Sequence, residues 1–352
     1  MQLRMTTASA PGRANLIGEH TDHSGGYVLP VALPLRVMVE LTPRADRALR
    51  LSSTAIGGGI VERTLDDRPA GDWTDHVVGA ARVAGVERGF DARVTSDLPI
   101  GVGLGSSGAL AVAVLRALRG AFGLALHDVA LALLAQRSEN EFVGARSGIM
   151  DQYAASLGRE GEALFLDCRS LENERIRLPQ AFEVVVVDSG IRHEHATGEY
   201  NKRRRDCEEA ARLLGVSQLR EVGSGELARV AELPEPLRRR ARHVVTENAR
   251  VIQAVVALRS ADPVALGGLL DASHRSLRDD FAVSTPEVDL LVELLREQEA
   301  VHGARIHGGG FGGSAVALSA AGEGHEAAAR AVGEYEERTG LDARIVVPAL
   351  RL

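Results

Sequence analysis

GVGLGSSGALAVAVLRAL, Gly101–Leu118, sets a glycine-dense loop directly before an apolar helix. Gly103, Gly105 and Gly108 fit GxGxxG, and the loop follows a strand-like ARVTSDL (Ala92–Leu98) and the turn residue Pro99. Free backbone N–H groups at a helix start, together with the positive helix end, make an anion site without any lysine. That matters because Lys202 is the chain's only lysine and no GxxxxGK[ST] pattern occurs. Ser106 and Ser107 stand where they could cap the helix. A dinucleotide unit needs a second strand ending in an acidic residue about 20 residues beyond the glycines. GAFGLALHDVALALLAQ (Gly120–Gln136) occupies that place and reads as a turn and a further helix. A nucleoside triphosphate therefore fits better than NAD, and a hydride-transferring enzyme is set aside.

Outward from this loop, LRVMVELT (Leu35–Thr42), EVVVVDSG (Glu183–Gly190) and ARIVVPAL (Ala343–Leu350) also read as strands. Helical spacing runs over Asp128–Phe142, Glu199–Leu214, Arg238–Arg259 and Pro286–Ala300, the last with Ser284 or Thr285 as cap and Pro286 in its first turn. Strands do not alternate one-for-one with helices, so an α+β fold is expected rather than a doubly wound sheet. The polar CRSLENERIRLPQAF (Cys168–Phe182) suggests a boundary, with one domain over residues 1–178 and a second over 179–352. With 352 residues, 45% of them hydrophobic, the chain can bury a full core. A net charge of −7 argues against a nucleic-acid partner. No apolar run reaches the roughly 18 residues a membrane helix needs, and MQLRMTTASA lacks a signal core, so the expectation is a cytoplasmic protein without membrane partners. Cys168 and Cys207 show no metal-ligand spacing.

Three further stretches carry chemistry. IHGGGFGGSAVAL (Ile306–Leu318) repeats GxGxxG at Gly308, Gly310 and Gly313, but between two strand-like runs; it reads as a tight turn that could pack against the first loop. PGRANLIGEHTDHSGGYVLP (Pro11–Pro30) interleaves Arg13, Asn15, Glu19, His20, Asp22 and His23 with apolar residues, as a folded hairpin presenting polar groups inward would. Glu19, His20 and Asp22 offer acceptors and donors for several hydroxyls at once, as a sugar requires, and a zinc site built on HxD is the weaker reading. In SGIMDQYAASLG (Ser147–Gly158), Asp151 is a lone carboxylate in an apolar segment; it either caps a helix or works beside a cation such as Arg13.

These clusters, in this order, resemble the three motifs of the GHMP small-molecule kinases, and the first resembles the galactokinase signature PGRxNLxGEHxDxxxGxxLP. IRHEHATGEYNKRRRDCEEA (Ile191–Ala210), RHVVTENARV (Arg242–Val251) and SHRSLRDDFAVSTPEVD (Ser273–Asp289) are similar to later galactokinase segments. The resemblance implies an N-terminal domain of the ribosomal-protein-S5 type, a C-terminal ferredoxin-like domain, and a monomer that uses ATP and Mg²⁺. It places ATP phosphates on Gly101, Gly103, Leu104, Gly105, Ser106, Ser107 and Gly108, adenine near Trp73, and Mg²⁺ on Ser107 and Glu139. The sugar falls to Glu19, His20, Asp22, Gly148, Asp151 and Tyr200. Asp151 accepts or orients the proton of the anomeric hydroxyl, Arg13 keeps it ionised, and Arg192 matches another arginine near the reaction. A carboxylate is a weak base for a sugar alcohol, so proton transfer is expected late, as bonding to phosphorus acidifies the hydroxyl.

The chain departs from the family pattern in places. His23 stands for tyrosine, Ser24 for asparagine, and GLGSSGA for GLSSSAA, which exchanges a serine for Gly105. HTDHSGG also resembles the HxDHxGG of galacturonate kinases, whereas Glu19 facing carbon 6 would repel a uronate. The implied activity is phosphorylation of galactose at the anomeric hydroxyl; a kinase of galacturonate, arabinose or an N-acetylhexosamine and a non-catalytic galactose sensor stand beside it.

Overall fold

The computed structural model describes residues 4–192 and 196–350, so residues 193–195 of the Ile191–Ala210 motif lie outside the described residues. Contacts cluster into two compact units that interleave along the chain: Met1–Arg13, Ala32–Ile100 and Leu104–Gly158 form the first, and Ala14–Val31, Gly101–Gly103 and Arg159–Leu352 the second.

In the first unit, strand β1 (Thr6–Asn15) pairs with β3 (Pro30–Pro43), and the order continues through β6 (Phe90–Ser96) and β4 (Ala48–Ser53) to β5 (Val61–Thr64). The alternation in LRVMVELT is that of a strand with one buried face: Val37, Val39 and Leu41 point inward, and β3 runs antiparallel to β6 from Val37↔Ser96 to Pro43↔Phe90. Helix α2 (Ser106–Phe122) packs on α1 (Thr74–Val83), α3 (Asp128–Ser138) and α4 (Met150–Leu157). From Gly108 to Leu118 it is buried on every side except at Arg116, which is why its sequence shows no polar stripe. Ser106 and Ser107 are not its caps. The N-cap is Gly105, left-handed at φ 69°, and the serines are already helical residues. A glycine reaches that conformation without the Cβ penalty, so the backbone turn takes the place of a side-chain cap.

In the second unit, β10 (Val301–His307), β11 (Ser314–Ala320), β9 (Phe182–Asp188) and β12 (Arg344–Leu350) form an antiparallel sheet in that order. Strand β9 is buried throughout, matching its unbroken valine run. Around this sheet lie α5 (Ala196–Leu214), α6 (Leu227–Ala231), α7 (Leu237–Arg259), α8 (Pro263–Ser276), α9 (Pro286–Arg296) and α10 (Gly324–Thr339), sharing a core that includes Val185, Phe281, Leu291, Leu295, Ile306 and Tyr335. Thr285, not Ser284, caps α9, its hydroxyl accepting from the Val288 N–H at 3.3 Å. The polar stretch after Cys168 holds a strand: β8 (Asn173–Arg177) pairs with β7 (Glu162–Asp167), which also pairs with β2 (Tyr27–Val28). Only Ile176 of β8 is buried, so this is a polar edge strand and its composition hides its conformation. Among the described residues no helix is long and apolar enough to cross a membrane.

Candidate active site

Within the first unit, the end of β1 and the start of α4 bring two of the expected groups together. Arg13, 5% exposed, donates from Nε to Asp151 Oδ1 at 2.8 Å, and its Nη2 lies 2.8 Å from the same oxygen. Asp151 thus has the cation its apolar surroundings called for, while its side chain keeps 26% exposure. The glycine stretch Leu104–Gly108 folds against this pair. The Arg13 N–H donates to Leu104 O at 2.9 Å, a Cβ at Gly105 would lie 3.2 Å from Arg13 Cγ, and a Cβ at Gly108 would lie 3.0 Å from Asp151 Cβ. Gly148 is buried in the loop before α4.

Glu139 follows α3 in a single π-turn, Glu139–Val143, and is 3% exposed. Burial pushes its carboxyl up to about 7, against hydrogen bonds from the Ser107 and Ser147 hydroxyls and the Gln152 amide. A hydroxyl and a carboxylate side by side are the hard oxygen donors Mg²⁺ prefers, and a cation there would relieve the buried charge, so the residues fit that ion. Beside Ser106 and Ser107 opens a cavity of about 250 Å³ lined largely by apolar side chains, among them Val37, Ile56, Trp73, Val94, Ile100 and Leu110. Trp73 therefore lines an apolar slot that ends at the N-terminus of α2.

Within the second unit, Pro11–Pro30 forms the expected hairpin from Ala14 onward: Leu16 N–H donates to Leu29 O and Leu29 N–H to Ile17 O, both at 3.1 Å. Glu19 is 2% exposed and held from three sides, by the Asn15 amide at 2.8 Å, the Gly308 N–H at 2.8 Å and Arg305 Nη2 at 3.3 Å. His20, left-handed at φ 59°, stacks on Phe281 at 4.6 Å and Tyr200 at 5.4 Å between ring centroids. Burial, reinforced by the neighbouring His23 and His243, holds its pKa well below the ordinary value and keeps the ring neutral. Among the described residues neither ring nitrogen has a well-formed hydrogen-bond partner, although the Gly309 backbone lies close enough to pull the pKa slightly the other way. Asp22 is half-buried at the start of a 3-10 turn and accepts from the His23 N–H at 2.9 Å. His23, itself pushed down to about 3 by burial, sits edge-on to Tyr200 at 6.1 Å. Arg192 is half exposed and held bidentate by Asp188, against Gly101.

The expected packing of the two glycine runs is present: a Cβ on Gly308 would come within 3.2 Å of Gly103 Cα. Other partners were not singled out from sequence. Arg305, fully buried, donates to Leu16 O at 2.7 Å and also to Asn15 O. Glu247 accepts from Gly18 N–H at 3.0 Å, Asn248 from Tyr27 N–H at 2.9 Å, and His243 Nε2 meets Glu19 O at 3.1 Å. The signal for the last three was the polar RHVVTENARV on an otherwise amphipathic helix: its polar residues turn inward to hold the hairpin. Arg305 left no signal beyond its place one residue before the Ile306 glycine run.

The galactokinase galactose-binding signature matches residues 4–43, the GHMP kinases N terminal domain residues 75–159 and the GHMP kinases C terminal model residues 254–338. The galactokinase of Streptomyces coelicolor is 44% identical over 97% of this chain and 91% of its own length. The crystal structure of Lactococcus lactis galactokinase complexed with galactose matches with a TM-score of 0.92 at 31% identity, over 99% of this chain and 95% of that one. Methanococcus jannaschii mevalonate kinase shares the fold at 18% identity, with a TM-score of 0.70 over 98% of this chain and 97% of its own. Because the signature covers the hairpin of Glu19 and His20 and the two kinase models cover the glycine loop and the glycine turn, the chain belongs to the galactokinase family of GHMP kinases.

Proposed function

We propose that this enzyme, a sugar kinase of an ATP-using family, transfers the γ-phosphoryl group of ATP to the anomeric hydroxyl of D-galactose, giving α-D-galactose 1-phosphate and ADP. The observation that carries the reading is the Arg13–Asp151 pair seated against Gly105 and Gly108. Phosphates resting on Gly101–Gly108 and the positive end of α2 put the γ-phosphorus beside that pair. Arg13 aims the Asp151 carboxylate and offsets charge on the transferring group, where electrostatics and positioning dominate catalysis. Asp151 orients the sugar hydroxyl and takes its proton as the new O–P bond forms. The adenine occupies the slot beside Trp73. Ser107 and Glu139 hold Mg²⁺, which neutralises phosphate charge when bound. Neutral His20 offers one donor and one acceptor to sugar hydroxyls, with Glu19, Asp22, Gly148 and Tyr200 completing the set. The protein works as a cytoplasmic monomer.

The exchange of serine for Gly105 is accounted for by the backbone: φ is 69° there, a conformation glycine adopts freely. With Arg13, Asp151, Ser107 and Glu139 all present, nothing at the loop favours a sensor over an enzyme. The test incubates wild type and Asp151→Asn with ATP, Mg²⁺ and a panel of neutral hexoses and uronates, identifying products by phosphorus and proton NMR. Galactose 1-phosphate from wild type is expected. The variant should lose about 10³-fold or more in rate, about 4 kcal/mol, while calorimetric galactose binding persists. Turnover confined to another sugar moves the substrate; galactose binding without turnover makes the protein a sensor.

A further inference from the structure

We propose that His307 and Ser314 are positioning residues that tie the sugar hairpin to the first leg of the glycine loop and so couple the binding of sugar and nucleotide. They stand at opposite ends of the glycine turn that joins β10 to β11, and both are buried. The backbone N–H of Asn15 donates to His307 Nε2 at 3.0 Å. A ring nitrogen that accepts carries no proton, so in the neutral imidazole the proton sits on Nδ1. Nδ1 faces Ser314 Oγ at 3.1 Å and donates to it. The Ser314 hydroxyl, its oxygen engaged as acceptor, donates in turn to Val102 O at 2.9 Å.

The result is a one-directional chain of three hydrogen bonds from the hairpin to the loop, buried along its length. Every member depends on the next: reversing one bond would set two donors or two acceptors face to face. The hairpin end is fixed by the sugar-facing residues themselves, because the Gly308 N–H and Arg305 hold Glu19 from the same strand end. At the loop end, Gly103 packs on Gly308, where a Cβ added to Gly308 would lie 3.2 Å from Gly103 Cα. A sugar that orders the hairpin therefore sets Val102 and Gly103, and nucleotide phosphates that order the loop set Asn15 and Glu19. Binding coupling of this kind is reciprocal. Neither residue touches substrate in this account. The inference rests on the proposed placement of phosphates on Gly101–Gly108.

The test measures the galactose Kd by calorimetry with and without saturating ADP and Mg²⁺. In wild type, ADP should tighten galactose at least about fivefold. In Ser314→Ala that factor should fall to within about twofold of unity, with the Kd for galactose alone little changed, and Ser314→Thr, which keeps the hydroxyl, should restore it. A residue that only stabilised the fold would lower the melting midpoint and leave the factor unchanged. Should Ser314→Ala fail to fold, His307→Asn replaces it, since its shorter side chain cannot span both Asn15 and Ser314. A wild-type factor of one, or a variant that folds and keeps the wild-type factor, overturns the inference while leaving the reaction intact. Absence of both galactose binding and product overturns the function as well.

Discussion

Glu139 is the residue whose surroundings most change its chemistry. Its carboxyl stands at about 7 in the folded protein, against 4.5 for an ordinary glutamate, chiefly through burial. That is a penalty of up to about 3 kcal/mol on the ionised form. Below pH 4.5 the group is protonated folded or unfolded and costs nothing. Between 4.5 and 7 the unfolded chain releases the proton and the folded one keeps it, so this group's contribution to stability falls as pH rises, and above 7 the full cost is present. In metal-free buffer, Glu139→Gln should therefore raise the thermal midpoint by about 3 °C or more at pH 8 and change it little at pH 5. Equal shifts at both values would trace the effect to packing, not charge. None of this is visible in the sequence, where Glu139 is one acidic residue among 48 in a run that simply reads as helical. By contrast Asp151 was legible, because a carboxylate in an apolar segment needs a partner, and Arg13 supplies it.

At the scale of elements, helices read well and their ends less well. The apolar run after Gly108, the long helix from Leu237 to Arg259 and the Pro286 start all follow from spacing and cap chemistry. The serine caps of α2 did not materialise, since a positive φ at Gly105 is a property of the turn and leaves no distinct mark in GLGSSGA. Strand β8 went unread because an edge strand with one inward residue looks like a polar linker. The turn at Gly105 carries its own prediction. A Cβ there would be strained at φ 69° and would press within 3.2 Å of Arg13 Cγ. Gly105→Ala should cost about 1–2 kcal/mol in urea denaturation, with the Arg13 side chain forced to give way. A variant as stable as wild type would mean that the turn can re-form with φ below zero.

The whole molecule is where the sequence is least direct. Reading along the chain suggests consecutive domains, yet residues 14–31 and 101–103 cluster with the C-terminal part. Composition cannot reveal such an exchange, because the hairpin's apolar residues would suit either core. What fixes it is polar satisfaction. Arg305 is fully buried, and its guanidinium is met by Leu16 O, Asn15 O and Glu19; Glu247 is fully buried and accepts from Gly18. Removing the hairpin takes the carboxylate partner from Arg305 and one donor from Glu247, which keeps Arg250 and Ser273. Leaving one buried charge without its partner costs about 3–5 kcal/mol, a large share of the roughly 5–15 kcal/mol that holds a whole domain together. A fragment of residues 159–352 alone should therefore show no cooperative urea transition and a collapsed near-ultraviolet circular dichroism signal. Adding a synthetic peptide of residues 14–31 should restore part of both in a saturable way. A fragment that unfolds sigmoidally without the peptide would mean that the C-terminal core closes over Arg305 and Glu247 by itself, and that the hairpin is held by the fold but does not help to build it.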